Sequence, residues 1–346
     1  MVRVAIVGAT GYAGMEALRL LAGHPQVEVT YLGSHSQAGQ PLAAVHPGLA
    51  ALGPRILESP DAAVIAARAD AALLALPARG SLALAPDLVE RGVRVIDFGA
   101  DFRLRDAATY AEYYGGAHTA PGWLERAVYG LTEFHRPALA AARLVANPGC
   151  YPTAALLALW PALAAGAVDP QDVIVDAKSG ATGAGRQLVQ SLHFSELAEN
   201  LWPYKLGGAH RHGPEIEQEL AVAAGRPVCV TFSPHQAPMA RGLLATCYAR
   251  LCQPWDEAAA TAHYRSAYAA EPFIQVLERE LPATKATLGS NLVQVAVRVD
   301  TRARRLVAVA AIDNLGKGAA GQAIQNLNCM FGLEETLGLP RVGLMP

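Results

Sequence analysis

The sequence predicts an α/β protein of two domains: a parallel-sheet domain, then an α+β domain, with a closing helix that returns to the first. Three observations predict it. At 346 residues the chain exceeds the size at which one core stops growing. Before Cys150, short aliphatic runs alternate with longer helical patterns, the rhythm of βαβ units. After it, most apolar runs have strand length and composition, as in an antiparallel or mixed sheet with helices on one side.

The first strand spans 2–7 and runs into Gly8. A helix over 12–22 follows and stops at Gly23-His24-Pro25. Strands over 27–32, 71–76 and 93–98 and a helix over 81–91 continue the alternation. Pro77 and Gly80 punctuate the third crossover, where a ligand-facing loop belongs. Beyond Cys150 the pattern predicts a helix over 153–165, strands over 172–178, 226–233, 242–251, 292–299 and 306–312, and a helical insert over 254–269. Ala320, Ala323, Ile324, Leu327 and Phe331 share one helical face, so a helix over 317–331 is expected to dock on the first domain.

The composition, 52% apolar and 17% charged with a net charge of -2, describes a compact soluble protein. No basic run points to nucleic acid or an anionic membrane. No stretch reaches the roughly 18 uninterrupted apolar residues of a spanning helix. The chain enters its first strand without a charged or cleavable leader, so a cytoplasmic enzyme is expected. Five cysteines, an odd number without paired C-x-x-C spacing, argue against a disulfide framework and against zinc.

Gly8-Ala9-Thr10-Gly11-Tyr12-Ala13-Gly14 joins a strand to a helix with G-x-x-G-x-x-G spacing. Such a turn brings backbone N–H groups and a helix N-terminus to a pyrophosphate; a purely structural tight turn is the alternative. The second strand ends in Leu32-Gly33-Ser34-His35-Ser36-Gln37, without the carboxylate that an NAD enzyme sets against the ribose 2'-hydroxyl. Ser34, His35 and Ser36 offer donors to a 2'-phosphate, which favours NADP over an ordinary polar loop.

Cys150 stands in Asn147-Pro148-Gly149-Cys150-Tyr151-Pro152-Thr153, just before an apolar helical run. A helix start stabilises a thiolate and offers N–H donors to an oxyanion; a buried structural cysteine is the bland alternative. In Tyr204-Lys205-Leu206-Gly207-Gly208-Ala209-His210-Arg211-His212-Gly213-Pro214-Glu215 two histidines and an arginine precede a helix beginning near Pro214. Neutral imidazole is favoured there, which suits a base. Satisfied surface histidines are the alternative, and a metal site lacks a third ligand set. In the loop from Lys178 to Arg186, glycines allow close approach while Ser179, Thr182 and Arg186 are suited to carboxylate or phosphate oxygens. Arg103, after the fourth strand, serves either such an anion or an ion pair with Asp97 or Asp101.

Together with Ala100-Asp101-Phe102-Arg103 and Asp313-Asn314-Leu315-Gly316-Lys317-Gly318-Ala319-Ala320-Gly321-Gln322, these runs resemble the N-acetyl-γ-glutamyl-phosphate reductase family nearly end to end. The loop after the second strand departs at His35 and Gln40, where basic residues are common in the family. The resemblance implies a Rossmann-type NADP(H) domain over 1–148, completed by 315–346, with an inserted α+β substrate and dimerisation domain over 149–314. It implies a homodimer or homotetramer acting on a small acyl phosphate. The reaction implied is the third step of arginine biosynthesis: NADPH reduces N-acetyl-L-glutamyl 5-phosphate to N-acetyl-L-glutamate 5-semialdehyde through a Cys150 thioester, with release of phosphate. His212 becomes the acid/base, and His210 and Tyr204 bind or orient substrate. Arg103, Ser179 and Arg186 hold its anionic groups. Gly8, Thr10, Gly11, Tyr12, Ala13, Gly14, Ser34, Ser36 and Pro77 contact the cofactor, with Asn314 and Gly318 at its nicotinamide end. Relatives acting on aspartyl phosphate or a carrier-linked aminoadipyl phosphate are the nearest rivals.

Overall fold

Strand β1 (Val2–Val7) is buried from Val4 to Val7, and β2 (Val27–Gly33), β3 (Ala71–Leu74), β4 (Arg94–Asp97), β5 (Val128–Tyr129) and β6 (Leu144–Ala146) join it in one sheet of a computed structural model that describes residues 1–344. The strand order is β2-β1-β3-β4-β6-β5, and every pairing is parallel. Central parallel strands are covered on both faces, which is why β1 from Val4 onward and all of β3 are apolar without alternation. The chain leaves β1 for β2 on one side and returns to β3 on the other. The crevice beyond the carboxyl ends of β1 and β3 is therefore the switch point of this sheet.

The chain divides into two compact units: Met1–Pro148 with Ala319–Leu339, and Gly149–Gly318 with the described tail from Pro340. The last boundary thus falls at 318/319 and not at the expected 314/315, and the described tail from Pro340 belongs to the second unit, not the first. In the first unit, β3 and β4 end at Leu74 and Asp97, earlier than the expected 76 and 98. Helix Thr132–Ala141 and the short β5 and β6 were not foreseen, because two- and three-residue strands carry no periodicity.

The closing helix, Gly321–Met330, packs on helices Thr132–Ala141 and Tyr12–Leu21. Its polar residues are buried with its apolar ones. Gln322, Gln325, Asn326 and Asn328 are all fully buried, and their side-chain NH2 groups all donate hydrogen bonds inside the unit. Gln322 Nε2 donates to Thr132 Oγ1 (2.6 Å), Thr132 Oγ1 to Asn326 Oδ1 (2.8 Å), and Asn326 Nδ2 to Gly130 O (2.8 Å) and Asn147 Oδ1 (3.0 Å). Buried amides persist when partnered in this way.

The second unit holds a mixed sheet of β7 (Val168–Ser179), β8 (Trp202–Pro203), β9 (Val230–Gln236), β10 (Leu243–Leu251), β11 (Ile274–Leu277), β12 (Val293–Asp300) and β13 (Arg305–Ile312). Its order is β11-β12-β13-β10-β7-β9-β8. Along β7, Val173, Val175 and Ala177 are buried while Asp172, Ile174 and Asp176 stay half-buried, a period of two that fixes the register against β10. Helix Cys150–Ala164 covers β10, β13 and β7 and is buried nearly all round. It begins three residues before the expected 153. The strand expected over 226–233 forms instead at Val230–Gln236, after Pro227. No helix among the described residues is long and apolar enough to cross a membrane.

Candidate active site

Cys150 is the first residue of its helix and is half-buried, with Gly149 as the N-cap. Gly149 N–H donates to Glu215 Oε1 (2.8 Å), and Glu215 is fully buried in the first turn of helix Gly213–Ala224. This bond ties the start of the cysteine helix to the start of the helix that follows the histidine run. Pro152 in the first turn costs nothing there, because N–H groups at that end lack intrahelical acceptors. Behind Cys150 stands Gly318, in a π-helical turn over Gly316–Ala320. A Cβ at 318 would lie 2.9 Å from that of Cys150, so only glycine lets the two backbones meet.

Cys150 opens onto a cavity of about 470 Å³ that Ser179, Tyr204, His210 and His212 also line. His210 Nδ1 accepts from His212 N–H (3.1 Å), which leaves the proton of neutral His210 on Nε2. The ring centroids of His210 and His212 are 4.9 Å apart and those of Tyr151 and His212 5.9 Å, with Phe232 5.1 Å from His210. Burial in this aromatic packing, with Arg211 and Lys205 adding repulsion, pushes His210 down to about 3. It therefore stays neutral throughout the working range. Tyr204 OH donates to Tyr151 OH (3.2 Å), which donates to His235 O (3.1 Å). Burial raises both phenols, Tyr204 to about 12, so each remains a protonated donor.

Ser179, at the end of β7, is buried on the cavity wall. Gly180 beside it is required by packing, since a Cβ there would meet Ala240 O at 2.6 Å. Arg186 is exposed and is not among the cavity's lining residues. Asn314 is engaged within its own unit: Oδ1 accepts from Gly242 N–H (2.8 Å) and Nδ2 donates to Thr182 Oγ1 (2.9 Å). Arg103 belongs to the first unit and is buried. Its Nε donates to Asn147 O (2.8 Å) and Nη2 to Phe98 O (2.7 Å), so carbonyls take these two donors. Lys205, Arg211 and Gln236, to which the sequence assigns no role, are among the lining residues. The two cations lie in the run that contains the histidines, and that adjacency was the available signal.

In the first unit, Gly8 sits in the switch-point crevice with φ 87°, and a Cβ there would meet Ala75 O at 2.2 Å. Gly14 is equally constrained, 2.3 Å from Gly8 O. Gly11 is different. A Cβ on it would touch only Gly8 O at 3.5 Å, an ordinary contact, and its φ of -80° suits any residue. Nothing inside the chain asks for glycine at the N-cap of helix Tyr12–Leu21, which has no side-chain cap and no acidic residue in its first turn. A bare helix start open to close approach fits a pyrophosphate. Thr10, Tyr12 and Ala13 complete this turn. Ser34 Oγ lies 3.3 Å from Thr10 Oγ1, and Ser36 is exposed just beyond. Glu58, whose backbone bridges Gly33 at the end of β2, pairs its carboxylate with Arg68 (2.9 Å). Pro77 is exposed in the loop after β3, its carbonyl accepting from Gly80 N–H (2.9 Å).

Residues 3–142 match the family of the semialdehyde dehydrogenase NAD binding domain, and residues 150–314 that of the semialdehyde dehydrogenase dimerisation domain. The chain is 50% identical over 345 residues to an N-acetyl-gamma-glutamyl-phosphate reductase of Symbiobacterium thermophilum, covering 99% of this chain and 98% of that protein. It is 51% identical to the enzyme of that name from Acidothermus cellulolyticus, with 99% of each covered. Among solved structures, aspartate semialdehyde dehydrogenase II from Vibrio cholerae, complexed with ASA, superposes with a TM-score of 0.73 at 20% identity, over 96% of this chain and 98% of that one. The Candida albicans aspartate semialdehyde dehydrogenase with NADP gives 0.68 at 16% identity, over 96% and 98%. These two likenesses concern the fold.

Proposed function

Because the chain belongs to the N-acetyl-gamma-glutamyl-phosphate reductase family, we propose that Cys150 is the nucleophile of its reaction and that His212 moves the protons. The reaction is the NADPH-dependent reduction of N-acetyl-L-glutamyl 5-phosphate to N-acetyl-L-glutamate 5-semialdehyde and phosphate, a step of arginine biosynthesis. The setting of Cys150 supports this reading best: the first residue of a helix, on the wall of a cavity shared with His210, His212, Tyr204 and Ser179.

His212 takes the thiol proton, and the helix start stabilises the resulting thiolate. Cys150 Sγ attacks the acyl carbon, the carbon–oxygen bond to the phosphoryl group breaks, and phosphate leaves with the electron pair, giving a thioester. Ser179 Oγ and Tyr204 OH steady the acyl group through hydrogen bonds, and neutral His210 donates from Nε2. NADPH, when bound, would supply the hydride that takes the thioester to the aldehyde level. His212 protonates the oxyanion of the resulting thiohemiacetal and takes that proton back as the C–S bond breaks, so Cys150 is regenerated as thiolate. Gly8, Thr10, Gly11, Tyr12, Ala13 and Gly14 would hold the pyrophosphate of NADPH and Ser34 and Ser36 its 2'-phosphate, with Pro77 beside the cofactor. Asn314 acts by fixing the Gly180–Thr182 turn, and Gly318 by giving Cys150 its room.

Cys150→Ala tests the assignment. NADPH binding is expected to persist while acyl-phosphate reduction falls by several powers of ten. A non-catalytic NADP-responsive module would keep its activity in cells unchanged by this substitution, and retained turnover would exclude Cys150 as nucleophile. Offering aspartyl phosphate and a carrier-linked aminoadipyl phosphate beside N-acetylglutamyl phosphate tests the substrate. The last is expected to be clearly preferred.

A further inference from the structure

In the first unit, the loop that leaves β3 is held in a conformation its own residues do not favour. It begins at the wall of the switch-point crevice, where Gly8 comes so close that a Cβ on it would meet Ala75 O at 2.2 Å. Four residues on, Arg79 has φ 70°, a left-handed backbone that a residue with a side chain adopts only under constraint. The side chain does not supply that constraint. Arg79 is exposed, and its Nη1 reaches Ala117 O only at 3.5 Å, the limit of a hydrogen bond. A carboxylate beneath the loop does supply it. Asp101 is fully buried, its Oδ1 accepts from Arg79 N–H (2.6 Å), and its Oδ2 accepts from Ser81 N–H (3.0 Å). Ser81 Oγ donates in turn to the buried Asp97 (2.6 Å), and Tyr110 OH, in helix Ala107–Tyr114, donates to Asp101 Oδ1 (2.8 Å).

We propose that Asp101 is a positioning residue for NADPH, which clamps loop 77–81 in the shape that borders the bound cofactor. This assignment rests on the NADPH reading above. Bonds from two amides to one ionised carboxylate are stronger than neutral ones, and a buried carboxylate without them would be left uncompensated, so loop and carboxylate hold each other. With the clamp in place the loop is ordered before the cofactor arrives, and binding does not bear the entropy of ordering it. Without it, Arg79 relaxes out of the left-handed region and carries Pro77 and Gly80 with it.

Glycine and proline at position 79 separate backbone from side chain, because both remove the guanidinium. Glycine accepts the left-handed conformation and keeps the N–H, whereas proline forbids the one and lacks the other. In fluorescence titrations Arg79→Gly is expected to leave the Kd for NADPH within about twofold, and Arg79→Pro to raise it about tenfold. Asp101→Asn, which turns an amide NH2 toward one of the two N–H donors, is expected to raise it by a similar factor while the KM for the acyl phosphate stays within about twofold. Adding Arg79→Gly to Asp101→Asn should recover part of the affinity, since glycine needs no clamp to hold that φ; a carboxylate that only stabilised the fold would show no such rescue. Melting temperatures report folding, and the exposed position 79 decides the matter even where Asp101→Asn unfolds. Equal effects of glycine and proline, a Kd untouched by proline, or no recovery in a folded double variant overturns the positioning role alone. Wild-type protein that does not bind NADPH sinks the cofactor reading and this role with it.

Discussion

At the scale of single residues, the two histidines of one run differ because their surroundings differ. His210 sits among Tyr151, Tyr204 and Phe232 next to two cations, and stays neutral down to about pH 3. His212→Asn is expected to lower kcat by roughly 10²–10⁴ and to abolish one limb of the pH–rate profile, whereas His210→Asn should act mainly on KM. Stopped-flow rates across pH would check both. The same shift governs stability. The unfolded chain protonates His210 near 6.5, while the folded chain does so only near 3. Stability from this group is therefore present above pH 6.5 and is lost as pH falls through that window, at about 1.4 kcal/mol per unit. Urea melts between pH 7 and 4 should show a slope that His210→Phe reduces. The residues that share the cavity, Cys150, Ser179, Tyr204, His210 and His212, were legible in sequence because each lies in a run of distinctive local chemistry. The direction of a side chain was not: Arg186, expected at an anion site with Arg103 and Ser179, does not line the cavity, whereas Lys205 and Arg211 do.

At the scale of elements, two turns carry the account. In the glycine turn, Gly8→Ala and Gly14→Ala are expected to prevent folding, since backbone oxygens lie 2.2 and 2.3 Å from the added carbon. Gly11→Ala should fold normally yet bind NADPH weakly, and comparing melting temperature with cofactor titration separates the two effects. In the second turn, Glu215→Ala leaves the buried Gly149 N–H without its acceptor, at a cost of about 1–3 kcal/mol. Misplacing the cysteine helix should lower kcat more than it changes KM, and Glu215→Gln, which keeps an acceptor, should recover most of the loss. The strands and helices around these turns could be read from periodicity wherever they were long. β5, β6 and the helix Thr132–Ala141 with its internal Pro137 could not.

At the scale of the molecule, the chain completes its first unit only after passing through the second, and the closing helix supplies Ile324, Leu327 and Met330 to the first unit's core. Cutting the chain before Ala319 should unfold the first unit and abolish NADPH binding, as limited proteolysis and cofactor titration would report. The return of this helix was legible from its apolar stripe. Its buried amides were not, because glutamine and asparagine on a helix read as a wet face until their partners at Gly130, Thr132 and Asn147 are known. The proposed reaction turns on one covalent event at Cys150. Incubating the intact protein with N-acetylglutamate semialdehyde and NADP without phosphate, then quenching in acid for mass spectrometry, tests that event most directly. The predicted result is one N-acetylglutamyl group on the peptide bearing Cys150, discharged on adding phosphate. Turnover without such an adduct, or an adduct on another residue, would contradict it.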